Sequence, residues 1–254
     1  MGQARVTHRR APRLYIEGRL GSGATLELDT GQAHYLHAVL RLDRGAEVTG
    51  FNAVDGEWLC RIAELGKRRV LLTVEGQLRP PKTEPDLWLL FAPIKRARLD
   101  WLVEKATELG VSALLPVWTA RTQPERINLE RWRMHAVEAA EQSERLSVPE
   151  LRPPEALDRA LAAWPVERPL IVCDETGAGE PIGEAVQRLT ATPVALLVGP
   201  EGGFGQTELD ALKKLSFVIR VGLGPRVLRA ETAAVAALAV FQALAGDWRR
   251  TRTR

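Results

Sequence analysis

Residues 195–232 read ALLVGPEGGFGQTELDALKKLSFVIRVGLGPRVLRAET. Two apolar, strand-like runs, Ala195–Val198 and Phe217–Val221, each empty into a loop crowded with glycine and proline. A short helical pattern separates them and a long apolar helix follows. Strand, loop, helix, strand, loop, helix is the signature of a parallel α/β unit. Ligands of such sheets bind in the crevice at the carboxyl ends of the strands, where these two loops fall.

The loops exclude some ligands. No Lys-Ser or Lys-Thr follows the glycines, so the phosphate-loop pattern is absent, and GxGxxG spacing is absent too. Glu201 sits inside the first loop, and a carboxylate there repels a polyphosphate. A nucleoside-like ligand fits better, held by backbone amides and by the apolar residues Leu223, Val227 and Leu228. Arg226 and Arg229 can hold a phosphate or orient a substrate. The rival reading is a pair of structural strand-to-helix turns. Glu231 and Thr232 open the last helix, with Thr232 near its cap. Ala233–Ala245 is apolar almost all round, so it is buried inside the domain or against a second subunit.

Upstream, the predicted strands are Leu87–Ala92, Val111–Trp118 and Leu170–Cys173. Helices are predicted over Arg98–Leu109, from the Asn128 cap toward Arg145, near Leu157–Ala163 and near Ile182–Leu189. Residues 1–78 are β-rich, with runs at Leu14–Ile16, Ala24–Leu28, Glu47–Val54, Trp58–Glu64 and Arg69–Val74. Asp55-Gly56 suits a type I′ hairpin turn. One helix interrupts the strands, about Gln32 to Arg41, capped by Asp29 or Thr30. Ala33, Leu36, Val39 and Leu40 form its apolar face, and His34, His37 and Arg41 share another. Arg79–Pro85 holds three prolines and is read as a linker. The expected division is 1–78, a linker at 79–85, and 86–254.

The 254 residues carry a net charge of +3, with 29 arginines against 6 lysines. Arg5, Arg9, Arg10 and Arg13 open the chain with no acid among residues 1–16, and Arg249, Arg250, Arg252 and Arg254 close it. Arginine suits bidentate phosphate recognition and base stacking, which points to a nucleic-acid partner. Genomic bias with solvated tails is the alternative. The two cysteines, Cys60 and Cys173, read as buried hydrophobes, and no His or Cys spacing suggests a metal site. No run is long enough to span a bilayer and the N-terminus lacks a signal-peptide core, so a cytoplasmic protein is expected.

LLVGPEGGF followed by LGPRVLRAETA strongly resembles the RsmE-type ribosomal RNA methyltransferases of the SPOUT superfamily, which methylate N3 of a uridine in small-subunit rRNA. The likeness extends to LDWLVEKATELGV (Leu99–Val111), EAAEQSERLSVPEL (Glu138–Leu151) and HYLHAVLRLDRGAEV (His34–Val48), and so covers nearly the whole chain in order. Glu144 departs from the pattern, standing where the family carries a small residue, often glycine.

The resemblance implies a trefoil-knotted α/β domain preceded by a PUA-like β-barrel that grips RNA. It also implies S-adenosylmethionine as cofactor, 16S rRNA or the small subunit as partner, a homodimer, and no metal. The cofactor would be held by Leu197, Val198, Gly199, Pro200, Glu201, Gly202 and Gly203 and by Val221, Gly222, Leu223, Gly224, Pro225, Arg226, Val227 and Leu228. Arg226 and Arg229 would stabilise the deprotonating uracil or its phosphate, with Glu201 or Glu231 as proton acceptor. Helix capping and pairing with arginine are the competing roles of the two glutamates. RNA contacts are expected from Arg9, Arg10, Arg13, His34, His37 and Arg41, and from Lys95, Arg96 and Arg98. A SPOUT ribose 2′-O-methyltransferase and a non-catalytic RNA-binding assembly factor are the alternatives.

Overall fold

The computed structural model describes residues 11–66, 69–123, 127–189 and 193–249. Its chain divides into two compact units, Met1–Thr83 and Glu84–Arg254. The first holds β1 (Arg13–Tyr15), β2 (Thr25–Glu27), α1 (Thr30–His34), β3 (Glu47–Asn52), β4 (Gly56–Leu65) and β5 (Val70–Arg79). These strands form one mixed sheet in the order β1-β3-β4-β5-β2, with β1 parallel to β3 and the other ladders antiparallel. Leu14, Leu36, Val48, Ile62 and Leu72 are among the residues of its core.

Three local readings of this unit need correction. The β3–β4 loop has three residues, Ala53–Asp55, because Asn52 pairs with Gly56 and its side-chain oxygen accepts from the Val54 and Asp55 amides at 3.0 and 2.6 Å. Gly56 follows at φ +83, in the left-handed region. The helix is capped as expected, Asp29 accepting from the Gln32 amide at 2.8 Å, but it passes into a π-helical turn over Tyr35–Val39. The wider turn rotates Val39 off the apolar face, leaving it 59% exposed. Arg41 lies beyond the helix at φ 54, so it shares no helical face with His34 and His37. Finally, Arg79 is not in the linker: it ends β5, paired across the ladder with Glu57.

The second unit contains β6 (Leu87–Phe91), α2 (Arg96–Glu108), β7 (Ala113–Trp118), α3 (Leu129–Ser143), β8 (Glu150–Leu151), β9 (Glu155–Ala156) and α4 (Leu157–Ala162). Then follow β10 (Leu170–Cys173), β11 (Glu180–Pro181), α5 (Ile182–Gln187), β12 (Val194–Val198), α6 (Gln206–Lys213), β13 (Val218–Gly222) and α7 (Ala230–Leu244). All strands are parallel, in the order β11-β13-β10-β12-β6-β7-β8, with β9 beside β7. Side chains alternate between two cores. Leu89, Ile171, Leu196 and Val198 face α2, α3, α5 and α7. Leu90, Val172, Ala195 and Leu197 face α4 and α6. Connections toward β8 use the first face and those toward β11 use the second, so all crossovers share one hand.

α7 begins two residues before Thr232, with Arg229 at its cap position. It packs against α2, α5 and β12, and its Ala234, Ala237, Leu238 and Phe241 are fully buried. Burial of a Leu or Phe side chain stabilises by about 1.5–3 kcal/mol. Gln242, also fully buried, donates to the Leu109 carbonyl at 2.6 Å and accepts from the Asp247 amide at 3.0 Å. Near the same edge, buried Arg145 donates to the Thr107 carbonyl at 2.5 Å, the Val111 carbonyl at 3.0 Å and Glu84. The residue before it, Glu144, ends α3 in the left-handed conformation, φ 62 and ψ 25. That conformation accounts for a small residue at this place in the family pattern, since glycine adopts it without a Cβ clash. Glu144→Gly should therefore raise the free energy of unfolding by about 1 kcal/mol, measured by urea denaturation; equal or lower stability contradicts this account.

Candidate active site

Three loops, not two, meet at the carboxyl ends of adjacent strands: those after β10, β12 and β13. They enclose a cleft of about 250 Å³. Its walls are Cys173–Gly177 from the first loop, Val198–Glu201 and Gly203 from the second, and Gly222–Leu228 from the third. Ala230 and Ala233 of α7 complete it. The β10 loop was not singled out in the sequence, although Cys173-Asp174-Glu175-Thr176-Gly177 is also a buried strand running into turn residues.

The β10 loop is tied down by its own acid. Asp174 has a fully buried side chain, accepts from the Thr176 amide at 2.9 Å, and pairs with Arg220 of β13, whose Nε lies 3.0 Å away. Burial pushes this carboxyl up, but the Thr176 hydrogen bonds and the Arg220 guanidinium outweigh it and hold the group below its ordinary value. Burial acts unopposed on Cys173, whose thiol is pushed up to about 12. It is an inert wall rather than a nucleophile.

The β12 loop is held from several sides. Phe204 is buried against Gly199, where an added Cβ would lie 3.0 Å from the ring. Glu208 of α6 reaches back to the Gly205 amide at 2.7 Å and to the Ala120 amide at 2.8 Å. Arg121 donates to the Gly202 carbonyl at 2.8 Å. Gly203 turns the chain at φ +68, and a Cβ there would fall 1.7 Å from Glu175 Oε1.

Twelve of the fifteen residues expected to form the pocket line the cleft. The other three do not. Leu197 points to the opposite face by strand alternation, Val221 is sealed in the core, and Gly202 is turned toward Arg121. Glu201 lines the cleft with its side chain 43% exposed. Glu231 does not line it: its side chain is 11% exposed, and it contacts Arg98 Nε at 3.5 Å. Arg98 also reaches Glu201 at 3.4 Å. So Arg98, expected to face RNA, stands between two carboxylates.

Arg226 and Arg229 are exposed and form no ion pair with the described residues. Lys95 is exposed just before α2. The side chain of Arg96 lies outside the description, as do Arg9 and Arg10. In the first unit His34 and Arg41 are exposed and His37 is half-buried. Arg13 is corrected: its side chain is 11% exposed, bonded to Glu57 at 2.5 Å and stacked on Phe51 at 3.8 Å, so it is committed to the fold.

Residues 81–242 match the RNA methyltransferase domain family, and residues 28–75 match the RNA methyltransferase PUA domain. Ribosomal RNA small subunit methyltransferase E of Rickettsia conorii is 33% identical, covering 91% of this chain and 95% of the relative. The Synechocystis protein of the same name is 34% identical over 87% of this chain and 74% of its own length. A Legionella pneumophila protein solved with bound SAM superposes with a TM-score of 0.84 at 32% identity, covering 94% of this chain and 99% of that one. With this likeness across both units, the chain belongs to the ribosomal RNA small subunit methyltransferase E family of RNA methyltransferases.

Proposed function

We propose that the protein transfers a methyl group from S-adenosylmethionine to N3 of a uridine in 16S ribosomal RNA, acting in the cytoplasm as a homodimer with a knotted catalytic domain. The observation that carries this reading is the cleft itself: three glycine-bearing loops at adjacent strand ends, lined by carboxylates and by the unpaired Arg226, with exposed Arg229 between the lining residues Leu228 and Ala230. Its chemistry suits the cofactor. Leu223, Val227 and Leu228 offer an apolar wall for a purine, and Asp174, Glu175 and Glu201 place negative charge beside a ligand that carries positive charge.

When bound, S-adenosylmethionine supplies an already activated methyl group. The protein must then orient the uracil and take the proton from N3. We assign the second task to Glu201; its support is that it lines the cleft and stays 43% exposed beside Arg98. Glu231 is placed to hold Arg98, and through it the Glu201 loop. Arg226 and Arg229 can meet the negative charge that develops on the deprotonating uracil and the phosphates beside it. The target must leave its stack to enter the cleft.

The open side of α7 supports the homodimer. Val235, Ala236, Ala239 and Val240 are only half-buried within one chain. They present an apolar strip on a helix otherwise enclosed by its own domain. A second copy is the occupant we assign to it.

Incubation with labelled S-adenosylmethionine and small subunits lacking base methylation should yield 3-methyluridine, identified by mass spectrometry of the nucleosides; a ribose-methylated nucleoside would sink the assignment. Glu201→Gln should lower kcat by roughly 10²–10⁴-fold, well beyond the loss of cofactor affinity from removing one of the three cleft carboxylate charges. Unchanged turnover at every pH removes Glu201 as the base. The double substitution Val235→Arg and Ala239→Arg should shift sedimentation from dimer to monomer, and a monomeric unaltered chain would dispose of the dimer.

A further inference from the structure

The cleft is lined by three carboxylates, of which two are already engaged. Asp174 is spent on Arg220 and the Thr176 amide. Glu201 is held by Arg98. Glu175 makes no hydrogen bond or ion pair with any described residue.

Yet Glu175 is not loosely placed. The residue before it is pinned twice, its amide donating to the Val221 carbonyl at 2.8 Å and its carboxylate gripping the strand beyond. The residue after it is fixed by the turn on Asp174. Its own carboxylate lies against Gly203, in the space a Cβ would occupy. The second loop thus gives up a side chain, at positive φ, where the first loop delivers an acid. Glu175 is exposed to solvent, but its backbone is set from both sides, so an unpartnered carboxylate is delivered to the cleft before the ligand arrives.

We propose that Glu175 binds the ribose of S-adenosylmethionine, its two oxygens accepting from the vicinal 2′- and 3′-hydroxyls. This rests on the cofactor reading above. The ribose is chosen over the cofactor's cationic groups because the two acceptors of one carboxylate match two adjacent donors. An acid near a strand end serves the ribose of dinucleotides in the same way.

Titration calorimetry on the full chain tests this with three ligands: S-adenosylmethionine, S-adenosylhomocysteine and 5′-methylthioadenosine. The last keeps adenine and ribose but lacks the amino-acid tail and the sulfonium charge. Glu175→Ala should weaken all three by about 10- to 100-fold, the range for charge-assisted hydrogen bonds. Glu175→Gln, which keeps one acceptor, should weaken them less. The ligand-free unfolding midpoint should stay where it is in both variants. Unchanged methylthioadenosine affinity overturns the inference, whether the other two ligands are unaffected or weakened through their charged groups. Failure of the unaltered chain to bind S-adenosylmethionine overturns the cofactor reading, and this inference with it.

Discussion

A helix that is apolar on nearly every side cannot sit on a protein surface, and the catalytic unit is arranged around hiding one. α7 buries Ala234, Ala237, Leu238 and Phe241 against α2, α5 and β12. To reach that place after β13, the chain has to pass the carboxyl ends of the sheet's central strands. The segment that does so, Gly222–Leu228, is one wall of the cleft, and the first turn of α7 supplies Ala230 and Ala233 to another. Gln242 fixes the far end of the helix through the Leu109 carbonyl and the Asp247 amide. A buried amide satisfied in this way costs little, whereas misplacing the helix would strand it without partners.

Charge inside the cleft is distributed by task. Asp174 and Arg220 lock the β10 loop to β13, and burial makes that lock strong only while the pair is intact. Arg98 joins the β12 loop to the start of α7 through Glu201 and Glu231. Glu231 Oε2 has no hydrogen-bond partner among the described residues, so the buried carboxylate is only partly compensated and depends on Arg98 staying in place. Arg226 and Arg229 carry no such duty and remain at the surface. These two cations are left open, while the paired ones hold the walls.

Much of this was legible in the sequence where a local rule applies. Buried parallel strands gave continuous apolar runs, Asn128 and Asp29 capped the helices expected of them, and the glycine-rich loops fell at strand ends. What escaped had no local signature. The π-helical turn at Tyr35–Val39 adds one residue to a turn without altering the apolar composition. Arg13 looked like part of a basic arm because its partner, Glu57, is 44 residues away. Arg98 looked like an RNA contact because Glu201 lies 103 residues away. The Asp-Glu-Thr-Gly turn after β10 resembled any surface turn, since its importance comes from two strands that follow it in the chain and flank β10 in the sheet.

At Gly199 and Gly203 the group that approaches the backbone is the protein itself. Phe204 closes on the first and Glu175 on the second. At Gly199 the β12 loop folds on itself, and at Gly203 it gives up a side chain so that the β10 loop can lie directly against its backbone. The entropy lost by ordering glycine is offset by walls that brace one another. A cleft built from loops would otherwise have to be ordered by its ligand, at the ligand's expense in affinity. Loop-on-loop packing moves that ordering into folding, and the density of glycine at these strand ends reflects a preformed site as much as contact with what it binds.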